Sequence, residues 1–327
     1  MAPPLRAALV LALFATACSG STPEPETAPA AETKPRRFRS RLDGAGKSSA
    51  QKPPGETELA SARAAAEAGD LTESIAQARA AIAANPQLEE AYLFLGNACG
   101  LAGDTTCEGA AYDDGLTALP NSAALMRERG LFLVQSGAFE EAIAQLEALR
   151  KRSAKPSPPL LADLSAAYRN AGQLDQARAM ANEALRLDST CGECHLASGL
   201  VAFEANDYAA AETAFAAASR YLPDNLRARV LLAKAVYFGG DAPRAANMYL
   251  ELVEAAPDSI ELRVEAAKLL LKVDRPADAA LQLEAAATYL PGEPALQEML
   301  AKVYSMAGQE KKAAAAAAKA RALRASP

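Results

Sequence analysis

The stretch Cys191-Gly192-Glu193-Cys194-His195 is the densest concentration of reactive side chains in the chain. Two thiols three residues apart, with an imidazole directly after them, make C-x-x-C-H, the pattern by which c-type haem is attached. In that chemistry both sulfurs become thioethers and His195 ligates the iron. The same thiols could instead close a short disulfide, or stay free and redox-active. His195 is the only histidine, so a sixth iron ligand would have to be a methionine such as Met180. Zinc would need further ligands that the chain hardly has, and a thioredoxin-like role lacks its βαβ setting. A second pair, Cys99 and Cys107, lies four residues either side of Gly103. On two antiparallel helices such positions come within disulfide reach if the α-carbons approach below about 7 Å. Otherwise they are two small buried thiols.

Basic side chains supply the other candidate site. Lys234, Lys268 and Lys302 recur at intervals of 34 residues. Arg227 and Lys272 are expected on the same wall, with Tyr237, Phe238 and Leu271 between them. Arg169, Asn170 and Asn97 occupy related places upstream. A basic ladder with interleaved apolar groups suits an extended acidic peptide or a C-terminal carboxylate. The competing reading is a solvated helix face, which lysine commonly fills.

Composition narrows the function classes. The 327 residues carry 34 Lys plus Arg against 40 Asp plus Glu, with no domain-wide basic footprint, which argues against nucleic acid. No paired catalytic constellation appears outside Cys191 to His195, so the chain is not expected to be an enzyme. Half the residues are hydrophobic, yet 5% are aromatic and Trp is absent. Thin helix-on-helix packing fits that balance better than one thick core.

The elements that must position these groups are helical hairpins. From His195 to Pro223, two short helices flank an Asn206-Asp207 turn, and the second sets Ala211, Phe215 and Ala218 on one stripe. One hairpin cannot bury such a face alone, so it needs stacked copies. Repeats start at Gly55, Glu89, Ala123, Pro158, Gly192, Leu226, Ile260 and Pro294, in steps of 34 residues with one of 35. A small Ala recurs in the second helix from Ala142 to Ala313, with departures at Ser74 and Glu108. Gly96, Gly130 and Gly199 take the small position of the first helix; Tyr112, Phe215 and Tyr249 take the bulky one of the second.

On these residues the chain resembles a tetratricopeptide repeat protein over about residues 55–327. Tyr168 and Tyr304 match the family's first-helix aromatic, and its Trp is replaced throughout. The resemblance implies an all-α, right-handed solenoid of about eight repeats whose first helices line a concave groove for peptides or protein segments. Related carboxylate-clamp arrays use Lys, Arg and Asn there, although their full set is not reproduced in this chain.

The N-terminus reads differently. Arg6, the apolar run Ala7 to Phe14, and Ala15-Thr16-Ala17-Cys18 form an export signal too short for a permanent span. Small residues running into Cys18 resemble the lipobox of bacterial lipoproteins, which implies cleavage after residue 17 and lipidation of Cys18. Ser19 in place of an Asp favours the outer membrane. Residues 18–54 are a Pro-, Ala- and Glu-rich tether. Within it Lys34, Arg36, Arg37, Arg39 and Arg41 surround Phe38. Such a knot suits anionic lipid headgroups or cell-wall polymer, or it is simply a solvated linker. The expected protein is thus an outer-membrane lipoprotein facing the periplasm, scaffolding protein partners and needing no cofactor. The alternative is an exported redox or haem protein using Cys191, Cys194 and His195.

Overall fold

The computed structural model describes residues 53–325. The expectations for the signal, Cys18 and the basic knot around Phe38 therefore lie outside the described residues. Within them the chain is all helix, in eight hairpins. These pair α1 (Glu56–Glu67) with α2 (Leu71–Ala84), α3 (Glu89–Leu101) with α4 (Thr105–Ala118), and α5 (Ala123–Gln135) with α6 (Phe139–Arg152). Next come α7 (Pro158–Asn170) with α8 (Leu174–Leu187), and α9 (Gly192–Glu204) with α10 (Tyr208–Tyr221). The last three are α11 (Leu226–Phe238) with α12 (Ala242–Ala255), α13 (Ile260–Lys272) with α14 (Pro276–Tyr289), and α15 (Pro294–Met306) with α16 (Glu310–Ala325). Odd-numbered helices are called A and even-numbered ones B. The helices form two compact units, one ending at Ala197 and the other beginning at Ser198, so the division falls inside α9. None of the described helices is long and apolar enough to cross a membrane.

Each A helix stops where one residue turns left-handed. Glycine does this without a side-chain penalty at six of these turns, but Asn206 (φ 60°) and Asp274 (φ 56°) do it with a side chain. In four hairpins the B helix then starts on a capping carboxylate: Asp70, Asp104, Asp207 and Asp241 accept the N–H of Glu73, Cys107, Ala210 and Arg244.

Inside each hairpin the helices nearly touch. A β-carbon added to Gly96 would lie 2.4 Å from the Tyr112 ring, and one on Gly130 would lie 2.5 Å from Leu146. At Gly199 it would meet the Phe215 ring at 2.5 Å. The bulky B-helix residue fills the space that the missing side chain leaves. Buried serines bridge the same seam from either side. Ser74 donates to the Ala62 carbonyl at 2.9 Å, and Ser165 to the Ala177 carbonyl at 2.8 Å. This accounts for Ser74 as a departure from Ala: its hydroxyl is satisfied, and burial without a partner would be costly. Glu108 is half-buried over Gly100, where an added β-carbon would be 3.0 Å from its carboxylate. Burial and Glu128 hold its carboxyl above the usual range.

A second link ties successive hairpins. Tyr168 of α7 donates to Glu147 of α6 at 3.1 Å, and Tyr304 of α15 donates to Glu284 of α14 at the matching repeat positions. Lys312 also donates to Glu284 and lies over the Tyr304 ring. Burial, then the Glu284 bond and charge, push the Tyr304 phenol up to about 12. Burial raises Tyr112 and Tyr249 further, each with a carboxylate nearby. A phenol raised in the folded state stabilises it fully below its unfolded pKa of about 10, and that stability is lost as pH climbs through the folded value. In an alkaline titration Tyr112, Tyr249 and Tyr304 should thus remain protonated near pH 11 and ionise together with loss of helical circular dichroism. Ionisation of every tyrosine near pH 10 with helix intact would contradict these assignments.

Candidate functional site

The cysteines lie at hairpin seams. Cys99 in α3 and Cys107 in α4 have α-carbons 5.6 Å apart and sulfurs at 1.96 Å, a bonded pair. Arg79 reaches the Cys107 sulfur at 3.4 Å. Cys191, just before α9, and Cys194, in its first turn, have α-carbons 5.2 Å apart and sulfurs at 1.99 Å. Both belong to the core that contains Leu160, Leu161 and Leu164, against which Met180 packs.

That arrangement does not fit haem. Cys194 has no exposed surface, whereas two thioethers need both sulfurs open to a large planar ring. His195 Nε2 lies 2.9 Å from the Ser189 carbonyl. A carbonyl only accepts, so this nitrogen carries the proton and offers no lone pair to iron. Met180, the sixth-ligand candidate, is a packing residue of the same core. Cys191 and Cys194 are instead placed at disulfide distance from each other.

The ladder residues fall in the second compact unit. Lys234, Lys268 and Lys302 each occupy the ninth position of their repeats, on α11, α13 and α15. Lys268 is drawn to Glu265 on its own helix at 2.7 Å, while Lys302 is exposed and Lys234 half-buried. Arg227 is exposed near the start of α11. Lys272, the last residue of α13, places its ammonium 5.3 Å from the Tyr237 ring centre. Asn97, Arg169 and Asn170 belong to the first unit. There Asn170 donates to the Ala166 carbonyl at 2.9 Å and Arg169 to the Asn170 side chain at 3.2 Å. The expected groove residues are therefore divided between two units.

The structure adds what spacing did not reveal. Phe238 stacks on Tyr208 with ring centres 5.6 Å apart, and Phe203 meets both edge-on at 5.4 Å. Tyr237 closes on Phe238 at 5.2 Å. Four of the seventeen aromatic side chains thus form one cluster, and Phe238 is 49% exposed within it. A signal for this existed: Phe203 and Tyr237 are both the twelfth residue of their repeats. With Lys272 over Tyr237 and Tyr237 against the exposed Phe238, the cluster forms an apolar platform with a cation at its edge. Cation–π contact of this exposed kind contributes about 0.5–1 kcal/mol.

Family models described as tetratricopeptide repeat match residues 112–199, 202–269 and 59–123. The chain belongs to the tetratricopeptide repeat family. No curated protein matches it. Among solved structures, the tetratricopeptide array is similar to a repeat protein from Parabacteroides merdae at 17% identity and TM-score 0.56, covering 76% of this chain and 98% of that one. It is similar to PilW, a type IV pilus biogenesis factor, at 17% identity and TM-score 0.55, covering 64% and 96%. It is also similar to human IFIT1 solved with m7Gppp-AAAA, at 14% identity and TM-score 0.58, covering 83% and 72%. Those likenesses show the fold alone, and proteins sharing it hold different ligands.

Alkylation of the unfolded, unreduced protein should therefore leave Cys99, Cys107, Cys191 and Cys194 unlabelled, with labelling of all four after reduction. Protein purified from its native host should show no Soret absorption. A Soret band, or free alkylation of Cys191 and Cys194, would contradict the arrangement.

Proposed function

We propose that this tetratricopeptide array is an outer-membrane lipoprotein, anchored through Cys18 and facing the periplasm, that scaffolds the assembly of partner proteins. Its A-helix face over α11, α13 and α15 binds extended acidic segments of those partners. The observation that carries this is the aromatic cluster of Phe203, Tyr208, Tyr237 and the exposed Phe238, with Lys272 over Tyr237. An extended segment would lay an apolar side chain on the rings and its carboxylates against the ammonium groups. A role in assembly is compatible with the fold shared with PilW, a type IV pilus biogenesis factor. The signal and lipobox-like residues Ala15 to Cys18 support the anchor, and several acyl chains would hold it stably.

Replacing Lys234, Lys268 and Lys302 together by Glu should abolish envelope partners captured by the wild type, and Phe238→Ala should weaken them. Raised salt should loosen wild-type capture, as expected for exposed charges. Cys18→Ala should shift the chain from the membrane to the soluble fraction with its binding intact. Capture of the same partners in the same amounts by the triple variant would refute the binding face.

A further inference from the structure

The first two repeats are together the most acidic adjacent pair of the array. Residues 55–122 hold eleven carboxylates against two cations, Arg63 and Arg79. Residues 34–52, immediately upstream, hold seven cations against one carboxylate, Asp43. The same two repeats also carry a cleft of about 480 Å³ with apolar walls from Ile82, Ala83, Tyr92 and Leu95. Asp114 and Arg79 line it as well, and the exposed Asp113 lies next to Asp114 in α4. Asp113 pairs with Arg129, and Glu90 with Arg63.

The point at which the chain enters the fold brings this cleft close to the basic segment. A β-carbon on Gly55 would lie 2.6 Å from the Ala81 carbonyl and 3.2 Å from Leu88. The chain therefore starts α1 against the end of α2, next to the Ile82 and Ala83 wall. Residue 53 comes fifteen positions after Phe38, a length that reaches at most about 50 Å. The cleft is well within that reach, and a tethered ligand meets its site at an effective concentration near the millimolar range.

We propose that the segment Arg36 to Arg41 docks on the first two repeats of its own chain, with the Phe38 ring in the Ile82–Leu95 cleft. Its arginines then face Asp114, Asp113 and the neighbouring carboxylates. Aromatic burial supplies the anchor and charge supplies the orientation. The acidic repeats would thereby hold the tether close to α1 and α2. Docking of the tether is independent of what the A-helix face over α11, α13 and α15 binds.

The test uses the full chain with a photo-crosslinking benzophenone amino acid at position 38, as a mixture of isotopically light and heavy protein. At low salt the adducts should map to residues 79–95 and 111–114, and should join segments of one isotopic label. Their yield should fall at least about fivefold in 0.5 M salt, where exposed charges are screened within a few ångströms. It should fall similarly in Asp114→Lys, and in a variant with Arg36, Arg37, Arg39 and Arg41 changed to Glu. The four-arginine variant changes no residue of the helical array, so it separates docking from folding. Adducts spread over the array, confined to α11 to α15, or joining light to heavy chains would overturn the proposal. So would an adduct pattern that appears only on vesicles containing anionic lipid, since that places the arginines on a membrane.

Discussion

Close approach between the two helices of each hairpin is the constraint from which the rest of the structure follows. Where Gly96, Gly130 and Gly199 give up a side chain, Tyr112, Leu146 and Phe215 fill the vacated space. Adding even one methyl group there would force a ring or a leucine out of its position, and overpacking of that kind costs about 1–3 kcal/mol. A seam this narrow cannot form a thick core. The chain accordingly relies on alanine and on stacking, and in the second compact unit the buried residues from Ala233 to Ala316 join in one cluster.

That constraint leaves clear roles for the remaining chemistry. Polar groups trapped at the seams are used as links, as Ser74, Ser165 and the Tyr304–Glu284–Lys312 contacts show. The cysteines also pair locally: Cys99 and Cys107 join the two helices of one hairpin, while Cys191 and Cys194 bracket the first turn of α9. Side chains unable to pack in a narrow seam are displaced to the faces. Phe238 and Lys272 lie at A-helix ends, where both are exposed.

The hairpins were legible in the sequence because period, turn residues and small residues all gave the same frame. The turn at Asn206-Asp207 could be read from residue type and position, whereas the left-handed backbone at Asp274 is seen only in the fold. Ser74 and Glu108 stood out only as departures from Ala. Their reasons, an opposing carbonyl and the space over Gly100, depend on atoms from the partner helix. C-x-x-C-H left haem, a disulfide and free thiols all open because a motif carries no information on burial, and Cys191 and Cys194 lie at disulfide distance within the core around Leu160 and Leu161. The lysine row was visible through its period. Phe203 and Tyr208 escaped notice because they join the Tyr237–Phe238 platform across a repeat boundary and a turn.

The central claim is that the A-helix face, and not merely any exposed apolar surface, receives the partner. The second unit offers its own control, since Phe238 on α11 and Leu281 on the B helix α14 are exposed to similar degrees, 49% and 59%. A photo-crosslinking residue placed at each position, in the native envelope, compares the two faces directly. Partner adducts are predicted from position 238 and none above background from position 281. Equal adducts from both positions, or adducts from position 281 alone, would contradict the claim.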